Sequence, residues 1–122
     1  KTPEEIAHSF ASTYGCVAAI TGAVDCVSDG KRTAMISNGH EMLGKVVGTG
    51  CMSDVIVASF AAVNGDPFAA AIGGLTAFGI AGEMAARIAG DKPGTFHTEL
   101  YNALYALSPD DIRAGAKIEQ SA

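Results

Sequence analysis

No block of Lys or Arg occurs in this sequence, and its 8 basic residues are outnumbered by 13 acidic ones, leaving a formal net charge of −5. Neither a nucleic-acid backbone nor an anionic membrane surface is expected as a partner, and an anionic ligand needs a local site. Cysteine is sparse: Cys16, Cys26 and Cys51 are odd in number and form no CxxC pair. Reduced thiols in a cytoplasmic protein fit that count better than a disulfide framework. The three histidines, His8, His40 and His97, are widely spaced, and zinc-type His/Cys spacings are missing, so no metal ligand is assigned within the chain. The opening KTPEEIAHSF puts charges where a secretory leader needs an apolar centre, and no leader is expected. The apolar stretch from Phe68 to Gly82 is glycine-rich, shorter than the ~20 residues of a membrane span, and runs into Glu83 and Arg87. It reads as a buried helix.

What is present is the material of one folded unit. With 122 residues, 48% hydrophobic and 17% charged, the chain is expected to be one domain or part of one. Thr2, Pro3 and Glu5 spell a capping-box start, after which Ile6, Phe10 and Tyr14 share a helical face up to Gly15. CVAAI, residues 16 to 20, is short and wholly apolar, as expected of a strand buried on both faces in a parallel sheet. Asp29-Gly30, flanked by AVDCVS and KRTAMI, signals a tight hairpin. SNGHEMLGKVVGTG reads as a loop; CMSDVIVASFAAV after it is apolar on nearly every side and is expected to be a buried helix ending at Asn64-Gly65. Asp66-Pro67 starts a long helix through about Ala89, whose four glycines each cost up to about 1 kcal/mol relative to alanine unless close packing offsets them. Pro93-Gly94 opens a further helix with Phe96, Leu100, Ala103, Leu104 and Leu107 on one face, and Ser108-Pro109 caps a last, more polar one. One buried strand, one hairpin and several helices make an α/β inventory short of strands to flank CVAAI. The missing strands are expected from residues ahead of Lys1, from another chain, or from an unusual fold.

GTGC, residues 48 to 51, is the most suggestive short motif. A glycine turn entering a helix leaves backbone N–H groups unpaired at the positive end of the dipole, an arrangement that binds anions. Gly48 and Gly50 permit close approach, and Cys51 falls in the first turn, where the dipole favours its thiolate and apolar burial opposes it. Cys51 is open to three roles: nucleophile, weak base for a substrate hydroxyl, or small packing residue. Phosphoryl transfer asks mainly for positioning and charge stabilisation and only modestly for a base, so a thiol suffices. The same four residues are also compatible with a plain turn. Thr21-Gly22 follows the strand at its carboxyl end, where open α/β sheets place ligands, or simply begins the hairpin connection. Asp54, Lys45, Asn38 and His40 lie near GTGC without a spacing that demands a ligand, and Glu83 with Arg87 reads as a structural i, i+4 pair.

Taken together and in order, TGAVDCVSDG, NGHEMLGKVVGTGC, GIAGEMAAR and PGTFHTELYNALYAL resemble the C-terminal half of the hydroxyethylthiazole kinase family, ribokinase-like enzymes of thiamin salvage. The resemblance spans nearly the whole chain, and the thiol where other ribokinase-like kinases carry aspartate makes it specific. It implies a three-layer αβα fold of which residues 1–122 are the C-terminal portion of a single kinase domain. It further implies ATP-dependent phosphorylation of the hydroxyethyl alcohol of 4-methyl-5-(2-hydroxyethyl)thiazole, with Mg²⁺, in a homotrimer with active sites near subunit boundaries. Carried over residue by residue, Thr21 is an ATP contact, Gly48 a thiazole contact, and Cys51 the catalytic-base position, with the amides of Thr49, Gly50 and Cys51 forming an anion hole. Residues for Mg²⁺ and the rest of the ATP and thiazole sites are expected in the N-terminal half of the same enzyme. Alternatives are a related hydroxymethylpyrimidine or hydroxymethylpyrimidine-phosphate kinase, a non-catalytic assembly module, and a cysteine-nucleophile hydrolase, the last lacking a histidine clearly placed to activate Cys51.

Overall fold

The computed structural model describes residues 1–121. Helix α1 (Pro3–Tyr14) starts at the capping box: the Thr2 hydroxyl accepts the Glu5 N–H, and the Glu5 carboxylate accepts the Thr2 N–H. Strands β1 (Ala18–Ile20), β2 (Asp25–Ser28) and β3 (Thr33–Ile36) follow, then a 3-10 helix (Glu41–Lys45) within the stretch read as a loop. Four α-helices come next, α2 (Thr49–Val63), α3 (Pro67–Ala89), α4 (Pro93–Ala106) and α5 (Pro109–Gly115), and β4 (Ile118–Ser121) ends the described chain.

The sheet order is β1-β2-β3-β4 and every pairing is antiparallel. Ser28 pairs with Thr33, so the hairpin expected at Asp29-Gly30 is closed by the longer loop Asp29 to Arg32. There the Asp29 carboxylate accepts the Lys31 and Arg32 N–H groups and the Arg32 guanidinium. Those bonds hold its pKa down at about 2, and Gly30 takes the left-handed turn position at φ 88. Strand β2 is covered on both sides. Val27 packs with Ala34, Ile36, Phe68, Ala71 and Leu75 against α3, while α1 touches β1 and β2 on the opposite side. Alternation along the strand turns Cys26 and Ser28 toward α1. The αβα layering expected is therefore present, with α2 and α4 packed on the far side of α3.

Three expectations are corrected. The CVAAI strand is not buried on both faces and has no parallel neighbour: β1 is an edge strand, paired only to β2, with Ala19 exposed and Ala18 and Ile20 half-buried. Its apolar run anticipates partners on an edge that these residues leave open. A fourth strand, β4, was not foreseen, because Ile118 to Ser121 is short, polar and wholly exposed. Of the two helices expected to be buried, α3 is and α2 is not: α2 turns only Ser53 fully inward, and Val55 is 64% exposed. Likewise α1 buries Ala7 and Ala11, whereas Ile6, Phe10 and Tyr14 face outward.

Helix α3 has the length and apolar character of a membrane span, but it is packed in the core, with fifteen of its residues from Phe68 to Ala89 buried. Its glycines are contact points. A β-carbon on Gly74 would lie 2.7 Å from the Val57 Cα, and one on Gly79 would lie 2.8 Å from the Asn38 carbonyl carbon. Close approach thus offsets the helix-propensity cost, and it seats both α2 and the 38–43 segment against α3. A second apolar cluster, built on Phe78, Ala81, Ala85, Phe96 and Leu100, joins α3 to α4 and draws in Met42, Met52 and Ile56.

Candidate active site

The entry to α2 is a glycine turn with an uncapped end. Gly48 is the N-cap at φ 93, a left-handed conformation that favours glycine, and it supplies no side-chain cap. The first helical bond runs from the Met52 N–H to the Gly48 carbonyl, 2.9 Å. Among the described residues, the N–H groups of Thr49, Gly50 and Cys51 find no acceptor. The side chains nearby that could have capped them are engaged elsewhere: Thr49 Oγ1 donates to the Leu43 carbonyl (2.8 Å) and Ser53 Oγ to the Gly50 carbonyl (2.7 Å). Three unpaired amides at the positive end of a fifteen-residue helix make an anion-attracting point. A β-carbon on Gly50 would meet nothing within 4 Å, so packing within this chain does not explain a residue that weakens the helix.

A cavity of about 500 Å³ opens on that point. Its walls bring together Thr21 and Gly22 from the β1–β2 connection, Asp25 at the start of β2, Asn38 to Glu41, and Thr49, Gly50 and Ser53 from α2, over a floor that includes Leu75 and Phe78 of α3. Thr21 and the Thr49–Gly50 step of GTGC, separated by 28 residues or more in sequence, thus share one space, at the end of β1. Cys51 does not share it. The exposed thiol lines a separate apolar concavity of about 330 Å³ with Met52, Val55, Ile56, Tyr101 and Leu104. Gly48 lines neither space. Lys45 is exposed at the end of the 3-10 helix, Asp54 is exposed on α2, and neither lines a cavity wall.

Asn38 and His40 have structural duties. The buried Asn38 amide donates to Glu83 Oε2 (2.7 Å) and to the Gly115 carbonyl (2.8 Å), and its oxygen accepts the Lys117 N–H (2.7 Å). Glu83 also accepts the Gly39 N–H and the Lys117 ammonium, and does not pair with Arg87 as the helical spacing implied. Burial pushes the Glu83 carboxyl up, but the hydrogen bonds from Asn38, Gly39 and Lys117 outweigh it and leave its pKa below the ordinary value. His40 Nδ1 accepts the Met42 N–H, capping the 3-10 helix. Sequence reasoning did not single out Asp25, which stands on the cavity wall and whose carboxyl is raised by burial against the opposing effect of the Gly22 N–H. The available signal was its place three residues after Gly22.

The model of the hydroxyethylthiazole kinase family matches residues 1–110. Hydroxyethylthiazole kinase of Pyrococcus furiosus is 47% identical over 116 residues, 95% of this chain and 43% of the relative; that of Roseiflexus castenholzii is 45% identical over 120 residues, 98% and 44%. Among solved structures, the hydroxyethylthiazole kinase protein from Pyrococcus horikoshii OT3 superposes with a TM-score of 0.92 at 41% identity, covering 98% of this chain and 46% of that one. The chain therefore spans less than half the length of these relatives, and over that span it belongs to the hydroxyethylthiazole kinase family.

Proposed function

We propose that residues 1–122 are the C-terminal portion of a single kinase domain, which transfers the terminal phosphoryl group of ATP to the hydroxyethyl alcohol of 4-methyl-5-(2-hydroxyethyl)thiazole. The observation that carries this reading is the unpaired α2 N-terminus lying between two unlike spaces, one of mixed lining with Thr21 among its polar walls, the other wholly apolar and lined by Cys51. Phosphates suit the first and a thiazole ring suits the second. The amides of Thr49, Gly50 and Cys51 would then lie where negative charge passes from donor to acceptor.

In this scheme the alcohol oxygen attacks the γ-phosphorus and the bond to the β-bridging oxygen breaks, releasing ADP. The alcohol proton goes to the Cys51 sulfur. The three amides and the Thr21 hydroxyl donate hydrogen bonds to phosphate oxygens, and the Gly48 backbone abuts the thiazole. One well-aimed donor of this kind is worth about 2.7–4 kcal/mol, against about 3–5 kcal/mol for a general base, so the amide cradle matters at least as much as the thiol. The open space above Gly50 that a β-carbon would occupy fits a phosphate group. Mg²⁺ would neutralise phosphate charge, and its protein ligands are assigned in this reading to the N-terminal half.

We further propose that catalysis requires that N-terminal half, and that the enzyme is a cytoplasmic homotrimer. The open edge of β1 and the exposed apolar faces of α1 and α2 support the N-terminal half and the trimer, as surfaces left for further protein to cover. The test is a phosphorylation assay on the full-length parent enzyme with ATP and Mg²⁺, offering the thiazole alcohol and hydroxymethylpyrimidine side by side. Turnover of the thiazole is expected; turnover of the pyrimidine alone would assign the chain to the pyrimidine kinases. Sedimentation of the same sample reads the trimer.

A further inference from the structure

The connection Thr21 to Val24 is exposed and belongs to neither of the strands it joins. Among the described residues a single hydrogen bond ties it down: the Gly22 N–H donates to Asp25 Oδ1 at 3.0 Å. Asp25 is half-buried on the wall of the larger cavity, yet among the described residues no Lys or Arg lines that cavity and no ion pair engages the carboxylate. A negative group on the wall of a space meant for phosphates is electrostatically unhelpful, and burying it is costly. Gly22 has no positive φ, and a β-carbon there would make only an ordinary contact with the Val24 carbonyl at 3.6 Å. The shape of the turn therefore does not come from its glycine. It comes from the acceptor at position 25.

We propose that Asp25 is a positioning residue for the nucleotide: by accepting the Gly22 N–H across the turn, it holds the Thr21 hydroxyl on the cavity wall that also carries the α2 amides. This rests on the reading of Thr21 as an ATP contact. Asp25 acts through the adjacent residue, and its hydrogen-bond acceptor, not its charge, is what the site uses. Asparagine supplies the same acceptor at the same reach and removes the unfavourable charge, whereas alanine frees the turn.

The experiment uses the full-length parent enzyme with Thr21→Val, Asp25→Asn, Asp25→Ala and the Thr21→Val/Asp25→Ala double variant. Steady-state kinetics and calorimetric ATP titration are measured on each, with folding checked by thermal melts. Asp25→Ala is expected to raise KM for ATP about tenfold with kcat changed less than about threefold, as loss of one hydrogen bond to a charged group allows. Asp25→Asn should bind ATP as well as the wild type or better. The double variant should be no worse than the more impaired single one, because both substitutions remove the same contact. A Thr21→Val defect without an Asp25→Ala defect would overturn the inference and leave the kinase reading intact. Loss of turnover in a folded Asp25→Asn enzyme would overturn it differently, by showing that the charge itself is needed. This isosteric variant decides the question even where Asp25→Ala unfolds the protein. If Thr21→Val binds and turns over ATP normally, the assignment of Thr21 fails and the inference fails with it.

Discussion

Gly74→Ala tests whether the glycines of α3 are contact points or merely tolerated weaknesses. The added β-carbon would lie 2.7 Å from the Cα, 2.9 Å from Cγ2 and 3.1 Å from the N of Val57, on α2. Carbon atoms rest comfortably at about 3.5–4.0 Å, so α2 has to move outward by about 0.8 Å or more, and backbone atoms cannot rotate away as a side chain would. Overpacking of this kind costs about 1–3 kcal/mol, while replacing glycine by alanine inside a helix returns about 0.5–1 kcal/mol. The expected net is a loss of up to about 2.5 kcal/mol. Gly94→Ala in α4 is the internal control: its β-carbon meets nothing within 4 Å and its φ is not positive, so only the favourable contribution remains and the protein is stabilised by up to about 1 kcal/mol. Urea-denaturation midpoints of both variants in the parent enzyme read the difference. Equal stability of the two, or a Gly74→Ala protein more stable than wild type, would refute the idea that α2 is seated by the absence of a side chain at position 74.

Four further outcomes follow from the same geometry. Cys51→Ala is expected to lower turnover without abolishing it, and Cys51→Asp to retain activity, because phosphoryl transfer leans more on charge stabilisation than on the base; a folded, ATP-binding Cys51→Asp enzyme with no turnover would contradict this. The depressed Asp29 carboxyl contributes stability that is fully present above its ordinary pKa of 3.8 and is lost as pH falls through about 2, so the advantage of wild type over Asp29→Asn should shrink between pH 4 and pH 2 in urea melts at each pH. Thr76 is buried in α3 with its hydroxyl unpartnered, so Thr76→Val should be neutral or stabilising by up to about 1 kcal/mol in thermal melts. Asn38→Leu strands the Gly115 carbonyl and the Lys117 N–H and takes one donor from Glu83, and a loss of about 2–4 kcal/mol is expected in the same assay.

What was legible in the sequence was whatever a local rule decides. The Thr2 capping box, the Ser108 cap, the helix start at Asp66-Pro67 and the inward face of α4 each depend on residues within one or two turns of each other, and each is present; the hairpin at Asp29-Gly30 is present too, though with a four-residue loop in place of the tight turn. Failures came where burial depends on what else covers a surface. CVAAI and the apolar run of α2 carry the composition of interior elements, yet within these residues one is an edge strand and the other a half-exposed helix. That composition fits surfaces covered by further protein, and the relatives are more than twice as long as this chain. Strand β4 was missed for the opposite reason: nothing in Ile118 to Ser121 beyond pairing with β3 makes it a strand.

The candidate site shows a subtler limit. Read as a string, GTGC is one motif, and its glycines, hydroxyl and thiol invite a single binding point. On a helix, successive side chains diverge by about 100°, a consequence of 3.6 residues per turn. Gly50 and Cys51 therefore look into different spaces, one of mixed lining and shared with Thr21, the other wholly apolar and shared with Tyr101 and Leu104. A kinase that joins a phosphate to an apolar alcohol needs that division, with the common helix end between the two. If position 50 serves the phosphates and position 51 the alcohol, Gly50→Ala should act on KM for ATP, while Cys51→Ala should act mainly on kcat; one parameter moving alike in both variants would mean that the two faces of α2 do not divide the substrates between them.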